Sequence, residues 1–152
     1  MNQRTLLKAQ TEKKLATFAE ASQVQIPRRG WIYTIRKTIG MSLRQLGARM
    51  ELTPQSVRDY EERERQGAIT IKSMTELGRQ MNMKFVYGYV PIEGTLDDVI
   101  MKRAMEKATE IVNRTHQSMR LEDQEVSEAR RQEAILQRAE EIKRQMPRYL
   151  WD

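Results

Sequence analysis

Cysteine is absent from this chain, so neither a disulfide framework nor a thiolate metal site can form, and a reducing compartment, the cytoplasm, is the expected setting. Histidine is almost absent: His116 stands alone, with no second histidine or cysteine to complete a metal site or a nucleophilic triad, and is read as a surface residue. Long apolar runs are missing as well. The longest, residues 85–92, is broken by Gly88 and Pro91 and falls short of the roughly 18 residues that cross a bilayer, and residues 1–10 contain no uninterrupted signal-like stretch. Glycine is scarce and forms no phosphate-cradling loop. The acidic pairs Asp97-Asp98 and Glu140-Glu141 are adjacent on expected helices, so their carboxylates diverge instead of converging on a substrate. These absences argue against an enzyme, a cofactor, a metal and a membrane partner. The ten methionines are read as gap fillers between helices.

Charge is present and unevenly spread. The chain carries a formal +6, yet residues 28–91 hold twelve Lys/Arg against six Asp/Glu, whereas residues 92–152 hold eleven against thirteen. A local cationic excess of this kind suits a phosphate-binding surface better than a general solubility pattern.

Residues 42–61 lie inside the basic segment and read as two short helices joined by a tight turn. Leu43, Leu46 and Met50 recur at helical spacing, and Leu52, Val57 and Tyr60 anchor the next element to the same core. Gly47 is placed where the two helices must approach closely, so that a side chain larger than Ala would force them apart. Thr53 is suited to cap the second helix and Pro54 to begin it. With Val57 and Tyr60 inward, the side chains left outward are Gln55, Ser56, Arg58, Asp59 and Glu62. A helix-turn-helix presents its second helix to the major groove, so Gln55, Ser56, Arg58 and Asp59 are the expected base contacts. Gln55 has amide geometry for adenine, Arg58 can reach guanine or a phosphate, and Asp59 can accept from cytosine or orient Arg58. Arg28, Arg29, Arg36, Lys37, Arg44, Arg49 and Thr53 are the expected phosphate contacts, which fix register without reading sequence. The acids Glu61, Glu62 and Glu64 are expected away from the groove or in ion pairs with Arg63 and Arg65.

Four segments are expected: an N-terminal helix and basic linker over 1–29, a DNA-binding domain over 30–82, a β-strand over 83–92, and a helical hairpin over 93–152. The first contains a helix over 3–21 with Leu6, Leu7, Leu15, Phe18 and Ala19 on one side, then a short edge strand over 24–27. The domain begins with a helix through Trp31, Ile32, Ile35 and Ile39 and closes with one through Ile71, Met74, Leu77, Gly78 and Met81. The strand, with Phe85, Val86, Tyr87 and Tyr89, has three possible partners: residues 24–26, the same strand of a second subunit, or another protein. A homodimer is favoured, because one small module binds DNA weakly and two copies suit a palindromic site. In the hairpin, Thr95 and Asp98 form a capping box. The first long helix runs to a break at residues 117–118 and the second through Val126, Ile135, Ala139, Ile142 and Met146, with Leu150 and Trp151 docking at the end.

The tract 43–61 resembles the XRE family of helix-turn-helix regulators, which includes the lambdoid phage repressors. Thr53, Gln55, Ser56, Val57 and Glu61 fall where those proteins carry a cap, a base reader, a second polar contact, a core residue and an acid. Leu43 stands in place of a common phosphate-contacting glutamine, and Glu51 in place of the turn glycine. Gly30-Trp31-Ile32, the tract 86–91, Met119-Arg120-Leu121-Glu122-Asp123-Gln124 and the terminal Leu150-Trp151-Asp152 together resemble the family called mobile mystery protein A. The resemblance implies a mainly α fold: an XRE-type, lambda repressor-like helix-turn-helix bundle with one β-strand and a C-terminal helical hairpin. It also implies a bacterial cytoplasmic protein on mobile elements, encoded beside a Fic-domain protein, and hence the autorepressing antitoxin of a Fic-type toxin, or alternatively an inhibitor that blocks the Fic enzyme with DNA binding secondary. Residues 118–122 fit the start of a Fic-inhibitory motif, which Asp123 breaks.

Overall fold

A computed structural model describes residues 2–121 and 127–152, with side chains described over 2–118 and 127–152. It is mainly helical, with seven α-helices and no strand among the described residues. The helices are α1 (Gln3–Ala16), α2 (Trp31–Thr38), α3 (Leu43–Met50), α4 (Pro54–Arg65), α5 (Ile71–Gln80), α6 (Leu96–Leu121) and α7 (Glu128–Gln145). Short 3₁₀ turns cover Ala21–Gln23 and Arg148–Trp151. The chain separates into two compact units, Thr17–Tyr89 and Met1–Ala16 with Val90–Asp152. The boundary expected at residue 29 is thus displaced: α1 belongs with the C-terminal helices and not with the linker.

The unit Thr17–Tyr89 is a bundle of α2 to α5. Its core is Ile32, Leu46, Val57, Leu77 and Met81, one or two residues from each helix or its cap, with Ile35, Leu43, Met50, Tyr60 and Met74 packed around them. Helix starts are fixed by side-chain caps. Ser42 accepts from the Gln45 backbone N–H at 3.0 Å while Gln45 returns a carboxamide oxygen to Ser42 N–H at 2.8 Å, a reciprocal capping box. Thr53 and Thr70 do the same half of the work for α4 and α5, accepting from Ser56 and Ser73 N–H. Trp31, Ile39 and Ile71, expected on apolar faces, are instead exposed.

In the other unit α6 and α7 form an antiparallel hairpin. Asn113 meets Arg131 near one end and Asp97 meets Lys143 near the other, which fixes the direction. Ala104 and Ala108 of α6 and Ala139 of α7 are fully buried beside Ile135, Ile142 and Leu150, so small side chains let the helix backbones approach. The Thr95–Asp98 capping box forms as expected, and α6 continues through the expected break at 117–118. Helix α1 buries no residue fully. Polar contacts tie it down: Lys8 to Asp97 at 2.5 Å, Arg4 to the Met146 carbonyl at 2.6 Å, and Glu12 accepting from Leu96 N–H at 2.8 Å. Asp97 accepts from both Lys143 and Lys8, and these two hydrogen bonds hold its carboxyl below the usual aspartate range. Leu150 docks, but Trp151 is exposed. His116 is half-buried instead of lying on an open face. Glu122 and Val126, in the tracts read above as a Fic-inhibitory pattern and a helix face, lie outside the described residues.

Two expected strands do not form. Residues 24–27 and 84–91 carry no β-ladder, because a strand exists only through pairing and neither segment pairs with the other within the chain. Phe85, Val86, Tyr87 and Tyr89 are therefore placed on an unpaired segment.

Candidate functional site

The turn between α3 and α4 is three residues, Glu51 to Thr53. Gly47 makes it possible: a Cβ there would stand 2.7 Å from the Leu52 carbonyl oxygen, which is backbone and cannot move aside cheaply. Glu51 adopts the left-handed conformation at φ 56° and ends α3. The turn thus holds a left-handed residue without glycine, at the cost of strain.

Helix α4 is held to the core by Val57, with no exposed surface, and by half-buried Tyr60. The consequence is the expected outward set. Gln55, Arg58, Asp59 and Glu62 are exposed. Ser56 is half-buried and its hydroxyl lies 2.9 Å from that of Thr53, so its first role is at the cap. Gln55 donates from Nε2 to the Asp59 carboxylate at 3.0 Å. Asp59 therefore pairs with Gln55 instead of orienting Arg58.

The cations separate into three groups. Arg29, Lys37, Arg44 and Arg58 line one surface groove of about 730 Å³, together with Tyr33, Ser42 and Pro54. Arg28 and Arg49 are exposed but lie outside the groove's lining. Arg36 is corrected: it reaches the groove wall only from beneath, as a buried residue. Its Nε donates to Glu61 Oε1 at 2.6 Å, its second guanidinium nitrogen to Oε2 at 3.3 Å, and its third to the Met41 carbonyl at 3.0 Å. With all three nitrogens occupied inside the bundle, Arg36 cannot contact an external phosphate. The reason is positional. Arg36 lies one helical turn after Ile32 and Glu61 one turn after Val57, so each continues a buried stripe.

The acidic cluster is likewise accounted for. Glu61 pairs with Arg36, and Glu62 pairs with Arg65 at 3.0 Å as expected. Glu64 caps α2, accepting from the Trp31 and Ile32 N–H groups at 2.5 and 2.9 Å. Gly30 admits that carboxylate, since its φ is +85° and a Cβ would meet it at 2.8 Å. Hence little free negative charge faces the groove.

Tyr33 was not anticipated. Its hydroxyl accepts from Arg29 at 2.8 Å, and the Arg29 guanidinium carbon stands 3.8 Å from its ring centre. The i,i+4 spacing of an arginine and a tyrosine was the available signal. Among the described residues no cluster of three or more His, Asp or Glu could hold a metal ion, and no helix is long and apolar enough to cross a membrane.

Compared with protein families, with curated proteins and with solved structures, the chain matches none.

Proposed function

We propose that the chain is a sequence-specific DNA-binding regulator in which α4 enters the major groove. The observation that carries this reading is the pairing of two features on one surface. A Thr53-capped helix leaves Gln55, Arg58 and Asp59 exposed, and four cations, Arg29, Lys37, Arg44 and Arg58, converge on one groove beside it. An XRE-type bundle would place α4 as the recognition helix with Gln55 at its exposed N-terminal end, where base edges come within reach. Arg29, Lys37 and Arg44 would hold phosphates. Arg28, Arg49 and Thr53 remain exposed and available to the same backbone at its margins. The reading assigns no reaction and no cofactor to the chain.

The likeness to mobile mystery protein A adds a partner. On that ground the protein is an autorepressing antitoxin that binds a Fic-domain toxin, acts in the cytoplasm and occupies its operator as a homodimer. The experiment that tests the DNA-binding reading is a shift assay on the DNA upstream of its own gene over a range of salt. A log–log slope of several units with a discrete footprint is expected, each neutralised phosphate contributing about 0.9. Co-purification with the product of the neighbouring gene tests the toxin partner separately.

A further inference from the structure

Residues 84–90 leave their backbone unmet. None of their N–H or C=O groups has a hydrogen-bond partner among the described residues, although Phe85, Val86, Tyr87, Tyr89 and Val90 are the residue types that favour a paired strand. The segment is also open. Val86, Tyr87 and Tyr89 are 65, 64 and 83% exposed, and the rings of Phe85 and Tyr87, two residues apart, stack at 5.9 Å as same-face neighbours do in extended chain. Alongside runs an apolar groove of about 430 Å³ lined by Trp31, Ile35, Met74, Met81 and Phe85, in which Lys84 is the one charged lining residue.

We propose that residues 84–90 of two copies of this chain pair antiparallel about a two-fold axis at Tyr87, joining the apolar rims of the two grooves. Two observations and the geometry of self-pairing favour a second copy. Within the chain, residues 24–27 form no ladder and leave the segment unpaired. Lys84 is the segment's single charge, so nothing in it recognises a strongly acidic or basic partner. Pairing Tyr87 with Tyr87 sets each Lys84 opposite Val90 and separates the two ammonium-bearing positions by about 20 Å along the ladder, whereas parallel pairing would stack them face to face, which is destabilising. An isologous contact also occupies the pairing edge in a closed dimer instead of leaving it as a template for open-ended association.

The inference deepens the DNA-binding reading by naming the surface that joins two copies, and its test contains no DNA, so either can fail without the other. Sedimentation equilibrium of the full chain should give a concentration-dependent mass reaching twice 18.0 kDa. Tyr87→Lys, which brings two like charges face to face, and Val86→Pro, which strains the ladder outside every helix, should each weaken the dimer by at least about tenfold, or about 1.4 kcal/mol, with helical circular dichroism unchanged. Because the chain has no cysteine, Tyr87→Cys should give a disulfide-linked dimer on mild oxidation, while Gln137→Cys on α7 should not. A mass of 18.0 kDa at every concentration overturns the proposal. So does a dimer of undiminished strength in both variants, or cross-linking at position 137 but not at 87.

Discussion

Arg36 and Glu61 meet in the interior of the Thr17–Tyr89 unit, 2.6 Å apart, with both side chains less than a tenth exposed. The pair joins α2 to α4, and through the Met41 carbonyl it also reaches the loop before α3. This buried contact adds a polar tie, beside the apolar anchors Val57 and Tyr60, to the helix that carries Gln55 and Arg58.

Removing one partner leaves the other charge buried without compensation, which costs about 3–5 kcal/mol, whereas replacing both with apolar residues of similar volume is often neutral. Arg36→Met alone should lower the unfolding free energy by an amount in that range, and Arg36→Met with Glu61→Leu should recover most of it. Urea unfolding followed by helical circular dichroism measures both. An arginine at the DNA surface would give almost no stability change.

The α3–α4 turn provides a test with opposite signs. Glu51→Gly relieves a left-handed residue and should raise stability by up to about 1 kcal/mol, since the strain of roughly 1–2 kcal/mol exceeds the entropy that glycine adds to the unfolded chain. Gly47→Ala should lower stability despite alanine's better helix propensity, because its methyl group would press on the Leu52 carbonyl; about 1–3 kcal/mol is expected. Thermal midpoints that move the same way in both variants would contradict the turn geometry.

On DNA, the readers and the anchors should behave differently. Gln55→Ala or Arg58→Ala should cost about 1–3 kcal/mol on the operator and far less on unrelated sequence. Arg44→Ala should weaken binding to all sequences and flatten the salt slope by about 1, and so should Lys37→Ala. Arg36→Gln should leave the slope unchanged in any protein that remains folded. Equal losses on every sequence from all of these variants would refute the division of roles.

Acid should loosen the attachment of α1. The Asp97 carboxyl is held below its ordinary value by hydrogen bonds from Lys143 and Lys8, so the folded state binds its proton less readily than the unfolded chain. Stability from these contacts is present above the unfolded aspartate value of about 3.9 and is lost as pH falls through the lower folded value. The protection of α1 amides, measured against intrinsic exchange at each pH, should therefore fall below about pH 4. Asp97→Asn should abolish that acid dependence and leave α1 exchanging faster at neutral pH. An unchanged pH profile in Asp97→Asn would place the acid response elsewhere.

The inner face of the small bundle was legible because it depends on local periodicity. Leu46, Val57 and Leu77 have apolar neighbours at helical spacing, and Thr53-Pro54 and Thr95-Asp98 cap helices through contacts three residues apart. Tertiary structure decided what spacing leaves open. Arg36 looked like one more cation in a basic segment, and only its meeting with Glu61, twenty-five residues away, turned it inward. Leu6 and Leu7 follow a helical period yet remain exposed, because burial requires a facing surface and α1 is held by polar contacts instead. Residues 84–91 have the residue types of a strand but form no ladder within the chain, since a helix closes its hydrogen bonds within one segment and a strand needs a second. By itself the sequence determined the helices α2 to α5, the caps at Thr53 and Thr95 and the exposure of Gln55, Arg58 and Asp59 on α4. Long-range contacts decided which charges stay free and where α1 belongs, because those depend on partners distant in the chain.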